Sequence, residues 1–374
     1  MARKFGKKNH VKVDPFSYNL MLLGEAKLGK TRLLYEVAEK EVGSDGYIFA
    51  EFSREKGASC IEGIVKEDIS SWEHWIDFVD DIVENKDSDY RDLRVVFIDT
   101  YDQYITIAEK EAVDLWNRKN PDKKADSLKQ SWGNFDGPFD KVKELMFEQT
   151  DRLNEVGVTV WWVGHCKAKE VKDIKSDEMY QIVTSDQKRT YFDFIKKNLH
   201  FLCLAYFDRQ LQKEKTGRKN IVTKKEEFRT VIKDETRKIR FRDDGYAIDS
   251  GSRFSDIKGE IDFDADEFIK TIKDAIRAEI EKSGNSVSER KVENEKEEQE
   301  NMERIAENEK AAKVKKSIEP LIKEISVFLS NNKSEISKVK PVVVKIRECG
   351  YAKPVDIDSK KDAESILELI HSLE

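Results

Sequence analysis

Two kinds of apolar pattern alternate along the first three quarters of the chain. Short, nearly unbroken apolar runs at residues 18–23, 46–52, 93–99, 158–165 and 199–206 predict buried strands, and residues 228–241 add one or two more near an edge. Between them, apolar residues recur at helical spacing. Leu33, Leu34, Val37 and Ala38 mark a helix after the first run, and residues 135–155 and 263–282 carry similar patterns. Residues 69–83 predict a helix capped by Ser70 or Ser71, with Trp72, Trp75, Ile76, Val79 and Val83 on its buried face. Residues 170–189 read as a long polar loop, and the stretch after Asp99 as a polar connection. Strands that alternate with helices and are apolar throughout predict an α/β fold with a mostly parallel sheet covered on both faces.

The pattern changes near residue 283. Up to about residue 316 the chain is rich in Glu, Lys and Asn and too poor in apolar residues to fold alone, which predicts a charged linker or solvated helix. Apolar periodicity returns at Leu321, Ile322, Ile325, Phe328 and Leu329, then over 342–346, and again at Ile366, Leu367, Leu369 and Ile370. The expected organisation is a basic N-terminal tail at 1–14, a large α/β domain at 15–282, the charged segment at 283–316 and a small α-helical C-terminal domain at 317–374.

The first strand ends in the chain's clearest chemical signal. Gly24, Glu25, Ala26, Lys27, Leu28, Gly29, Lys30 and Thr31 fill the phosphate-loop pattern G-x-x-x-x-G-K-[ST], with Arg32 next in the following helix. Glycines let the loop turn its N–H groups toward phosphate, the lysine reaches the β and γ oxygens, and the threonine hydroxyl is a Mg²⁺ ligand. Strand, loop and helix come in the required order, so a nucleoside triphosphate with Mg²⁺ is the expected ligand. Asp99, at the end of a wholly apolar strand, is the expected acidic partner of the metal, because a carboxylate there needs a cation or donors. Thr100 follows it where many such enzymes carry a water-orienting Glu, which leaves Glu51 and Glu55 as replacements. His165 closes another strand on the nucleotide edge of such a sheet. It reads either as a γ-phosphate sensor or as a hydrogen-bonded core residue.

Composition narrows the setting. Four cysteines, Cys60, Cys166, Cys203 and Cys349, lie far apart with no C-x-x-C spacing, so neither a zinc site nor a disulfide framework is expected among the 374 residues. Neither a signal-peptide pattern nor an apolar stretch of about 18 residues occurs, so the expectation is a soluble cytoplasmic protein without a membrane partner. A charged fraction of 38% with net charge −7 gives no global attraction for nucleic acid, so any such binding needs a local basic strip.

Together the phosphate loop, the strand ending at Glu51, the helix containing Trp72, the Val-Val-Phe-Ile-Asp99-Thr strand and Val-Gly-His165-Cys-Lys resemble the phage-encoded RecA-like P-loop ATPases, a group that includes the ATP-binding class of single-strand annealing recombinases. Ser252-Arg-Phe254 looks like a further family element, and the resemblance covers roughly residues 15–280. It implies a RecA-like P-loop NTPase fold in which Lys30 and Thr31 hold phosphate and Mg²⁺, and Asp99 holds the metal. It further implies that Glu51 is the leading catalytic carboxylate, since RecA-like proteins carry theirs at the end of this strand, and that His165 occupies the sensor position. Weak or DNA-stimulated ATP hydrolysis is the implied activity. The implied partners are single-stranded DNA, further copies of the chain, and phage or host replication and recombination proteins in a bacterial cytoplasm.

Two strips suit such a role. The first combines Lys167, Lys169, Lys172, Lys175, Lys188 and Arg189 with Tyr180 and Tyr191; the second, expected on a hairpin, holds Arg209, Lys213, Lys215, Arg218, Lys219, Lys224 and Lys225. Acidic residues dilute the first. Two other readings remain open: a nucleotide-dependent assembly protein that does not bind DNA, and a small-molecule kinase.

Overall fold

The computed structural model describes residues 9–52, 56–133, 136–172, 179–219, 226–242, 248–332, 335–354, 357 and 359–373. Contacts divide the chain into two units, Met1–Asn294 and Glu295–Glu374. The first unit therefore runs past Lys282, because residues beyond it are tied in. Arg290 is buried, Glu293 pairs with His10, and Asn294 donates to the Val11 carbonyl at 3.3 Å.

In the first unit β1 (Leu20–Gly24) and α1 (Lys30–Val42) flank the phosphate loop. They are followed by β2 (Tyr47–Phe52), β3 (Lys66–Ile69), α2 (Trp72–Glu84), β4 (Val95–Asp99), α3 (Tyr101–Lys119) and α4 (Gly137–Glu155). The chain continues through β5 (Thr159–Lys172), β6 (Met179–Ser185), α5 (Arg189–Lys196), β7 (Phe201–Lys219), β8 (Glu226–Arg240), β9 (Gly251–Ser252), β10 (Glu260–Asp262) and α6 (Ala265–Lys282). Across the sheet the order is β3-β2-β4-β5-β1-β7-β8-β10. The strands from β3 to β7 are parallel, and β8 and β10 complete the edge antiparallel. The expected mostly parallel α/β sheet is the one observed.

Successive strand side chains serve two cores. Leu20, Leu22, Phe49, Phe97 and Trp161 pack toward α1 and α6, whereas Met21, Leu23, Ala50, Ile98 and Trp162 pack toward α2, α3, α4 and α5. Burial on both faces is why these strands read as continuous apolar runs. On the second face Trp75 lies edge-on to Phe52 and Tyr104, with ring centroids 5.4 and 5.5 Å apart. Such pairs add about 0.5–1.5 kcal/mol each beyond their buried area.

Several expectations need correction. The polar stretch after Asp99 is the helix α3, which buries Tyr101, Tyr104, Ile105, Ala108 and Ala112. The long loop expected at 170–189 is mostly structured: β5 runs on to Lys172 and pairs antiparallel with β6 from Cys166↔Ser185 to Lys172↔Met179. Edge strand β3 had no apolar run to mark it, since only Ile69 is buried. In α2 the cap is Ser71, whose Oγ accepts from His74 N–H at 3.1 Å, and Ile82 joins the buried face, with Ile76 and Val83 partly buried against the same core.

The second unit contains most of α7 (Val287–Asn331), which passes through the charged segment as helix, followed by α8 (Ile336–Glu348) and α9 (Lys360–Leu373). Ile318, Ile325, Phe328, Val342, Ile346, Ile366, Leu367 and Ile370 form its core; Val344, inside the expected apolar run, is exposed.

Candidate nucleotide-binding site

The carboxyl ends of β1, β4 and β5 open into one cavity of about 500 Å³, lined by Ala26, Lys27, Gly29, Lys30, Thr31 and Arg32 from the loop and α1, by Asp99, Thr100 and His165, and by Lys56, Gly57, Cys60 and Ile61. Two glycines make the loop possible. Gly29 has φ 105°, where a Cβ is strained, and a Cβ on Gly24 would stand 2.8 Å from the Ala205 carbonyl oxygen of neighbouring β7. Because α1 starts at Lys30, its unpaired N–H groups and positive dipole end belong to this loop, an arrangement that favours phosphate.

Lys30 is buried, and its Nζ donates to the Gly24 and Glu25 carbonyls at 3.0 Å each, while His165 Nδ1 stands 3.4 Å from it. Thr31 Oγ1 donates to Asp99 Oδ2 at 2.7 Å. Sheet order explains the convergence, since β5 lies between β1 and β4 and pairs Gly24 with His165 and Asp99 with Val163. The His165 ring is thereby set between the phosphate loop and the acidic strand end. A hydroxyl and a single carboxylate, with phosphate oxygens and water to complete an octahedron, are the hard-oxygen set that suits Mg²⁺. Thr31 and Asp99 fit that ion as a pair.

Glu51 stands one strand from Asp99, in register with it, and is 1% exposed. Its Oε1 accepts from Ala58 N–H at 3.1 Å and its Oε2 from Lys66 Nζ at 2.5 Å, and Glu51 does not line the cavity. What it holds is the turn at Ala58–Cys60, next to the cavity wall formed by Gly57, Cys60 and Ile61. The other candidate, Glu55, lies outside the described residues.

A third carboxylate escaped the sequence reading. Asp102, in the first turn of α3, accepts from His165 N–H at 3.3 Å, and Asp186 N–H donates to the His165 carbonyl at 3.2 Å. Burial, then the charge of neighbouring Asp186, pushes the Asp102 pKa up to about 8. A carboxyl whose pKa is higher folded than unfolded binds an extra proton in the native state, so this group's contribution to stability is full below the unfolded pKa near 4 and is lost as pH rises toward 8. From pH 5 to 8 the denaturant midpoint of the wild type should fall relative to that of Asp102→Asn; a difference that does not change with pH would contradict this assignment.

Cys60 gives the cavity a chemical handle, because it is exposed and lines the wall. Its alkylation by a maleimide should slow about tenfold at a nucleotide concentration about ten times Kd, by simple occupancy. Cys60→Ser supplies the background rate, and nucleotide-independent labelling of Cys60 would place the ligand elsewhere. Half-buried Cys166, beside His165, has its thiol pKa raised by desolvation to about 11 and is a poor competitor for the reagent.

The two basic strips fare differently. Tyr191 is buried with its hydroxyl on Glu109 and is withdrawn from the surface, whereas Lys188, which pairs with the same carboxylate at 2.5 Å, and Arg189, which pairs with Asp193, stay exposed. Tyr180 and Met179 remain exposed on β6, at 41% and 60%. Lys175, Lys224 and Lys225 lie outside the described residues. The described part of the second strip, Arg209 to Lys219, falls on β7 of the β7–β8 hairpin, and Lys213 is exposed on it. Arg253 borders a second cavity with Asn19 and Trp162 and donates to the Lys197 carbonyl at 2.5 Å.

A family model described as an AAA domain matches residues 17–234, the stretch that carries β1 to β7 and part of β8. No curated protein matches the chain. Among the described residues, no helix is long and apolar enough to cross a membrane. With the match covering more than half the chain and the phosphate loop, Asp99 and His165 gathered at one cavity, the chain belongs to the AAA domain family and is a P-loop, AAA-type nucleotide-binding ATPase.

Proposed function

We propose that this ATPase binds ATP with Mg²⁺ and uses it to control the binding and annealing of single-stranded DNA in phage-type recombination or replication. The observation that carries the reading is that two β-hairpins grow from the strands flanking the nucleotide loop. One continues β5 directly beyond His165; the other continues β7, whose Ala205 pairs with Gly24. Between Phe207 and Arg240 the second hairpin has twelve basic and six acidic residues, against a net charge of −7 for the whole chain. Basic side chains beside exposed Tyr180, Met179 and Ile232 suit phosphate neutralisation and base stacking.

In this reading Lys30 and the loop amides hold the phosphates, Thr31 and Asp99 the metal, and His165 reads the γ-phosphate at the start of the β5–β6 hairpin. Glu51, which does not line the cavity but holds the turn that walls it, is proposed to support turnover by fixing that wall. Glu51→Gln should lower turnover at least about tenfold while ATP still binds; unchanged turnover would leave Glu51 as a partner of Ala58 N–H and Lys66 with no part in hydrolysis. An Arg finger from a neighbouring copy of the chain, with Arg253 as the candidate, would make the active form an oligomer.

The direct test reverses charge on the hairpin. Lys213→Glu with Lys215→Glu should weaken oligonucleotide binding and make the slope of log affinity against log salt shallower by about 0.7 for each DNA phosphate that is no longer neutralised. An unchanged affinity and slope would favour the nucleotide-dependent assembly protein, for which exposed Val327 and Val344 of the helical unit offer apolar surface.

A further inference from the structure

Past Ala205 and Ile239 the strands β7 and β8 leave the buried part of the sheet and pair on as a two-stranded arm as far as Lys219 and Glu226. A lone ribbon of this kind is marginally stable, so whatever holds its root governs its behaviour. Two arginines of that root grip the phosphate loop. On β8, Arg237 donates from Nη1 to the Leu28 carbonyl at 3.0 Å and lies 5.0 Å over the Phe263 ring. On β7, Arg209 places Nη2 3.7 Å from the Glu25 carboxylate, donates from Nε to Glu235 across the arm at 2.6 Å, and lies 4.8 Å over Phe207.

One of these loop residues also answers to Lys30, whose Nζ donates to the Glu25 carbonyl. Phosphate oxygens are stronger acceptors for an ammonium than peptide carbonyls are, so a triphosphate draws Lys30 away from Glu25. It also brings several negative charges close to both guanidinium groups. Lys30 holds the Glu25 carbonyl while Arg209 faces the carboxylate of the same residue and Arg237 holds the Leu28 carbonyl three residues on, so a shift of the loop at Glu25 and Leu28 is carried to the arm's root.

We propose that Arg209 and Arg237 are positioning residues that make the β7–β8 arm report on the phosphate loop: nucleotide in the cavity resets the arm's root and, through it, the arm's hold on single-stranded DNA. The second half rests on the proposed function, whereas the first stands without DNA.

Amide hydrogen exchange of the full chain, with and without ATP and Mg²⁺, separates the two. In the wild type, nucleotide should change exchange by about fivefold or more both at residues 25–31 and in the arm at 209–215 and 229–237. In Arg209→Gln/Arg237→Gln the change at 25–31 should remain and that in the arm should disappear. Arg209→Lys/Arg237→Lys, which keeps charge but loses the planar fork, serves if the first variant does not fold and should show a reduced arm response. An arm response equal to wild type in the folded variant, or a wild-type arm indifferent to nucleotide that protects the loop, would overturn the coupling. With a fluorescent oligonucleotide, the ATP-induced gain in affinity should shrink below about twofold in the variant. Absence of oligonucleotide binding in the wild type, with the arm response intact, would remove the DNA reading and leave the coupling supported.

Discussion

Lys30→Ala should abolish measurable ATP binding at micromolar protein while leaving the fold intact. The ammonium is a buried cation set among the loop carbonyls, with Gly24 and Glu25 as its partners and His165 beside it. Replacing two carbonyl bonds by charge-assisted bonds to phosphate contributes about 3 kcal/mol, so its loss weakens ATP roughly 100-fold. Without nucleotide, alanine frees two carbonyls beside an open cavity where water can reach them. A thermal midpoint that ATP raises in the wild type should therefore become insensitive to ATP in the variant. A variant that still responds to ATP would mean that the phosphates are held elsewhere.

Asp99→Asn should separate nucleotide binding from metal use. Asn retains an oxygen to accept the Thr31 hydroxyl, now 2.7 Å from the carboxylate, but loses the charge that favours a divalent ion. Affinity for Mg²⁺ in the ATP complex, and turnover with it, should fall at least about 10–100-fold, the range seen when only a group behind a metal ligand is lost. ATP binding without metal should change little. If Mg²⁺ dependence survives in Asp99→Asn, the ion is held by other groups.

The parts legible in the sequence are those with a rigid spacing or an uninterrupted apolar run. The phosphate loop is both, which made Gly24 to Thr31 readable, and β4 and β5 announced Asp99 and His165 because strands buried on two faces leave no polar position inside. Helix α3 was not legible because its buried stripe consists partly of small residues, Ala108 and Ala112, diluted by charged neighbours. The β5–β6 pairing was missed for the complementary reason: a ribbon solvated on both faces carries no period-2 apolar signal. Asp102 acquires its meaning only when Asp186, far along the chain, is brought beside it, and Lys56, Cys60 and Ile61 join the cavity through a turn whose position depends on Glu51. Likewise the grip of Arg209 and Arg237 on the loop follows from β7 lying next to β1, an adjacency that spacing alone does not reveal.

Titration of a fluorescent single-stranded oligonucleotide into the wild-type protein, with and without ATP and Mg²⁺ at two salt concentrations, decides whether ATP controls DNA binding. Binding strengthened by ATP and weakened by salt, with a log–log slope near −3 for about four neutralised phosphates, is the predicted result. Binding indifferent to ATP, or none under any condition, would contradict it.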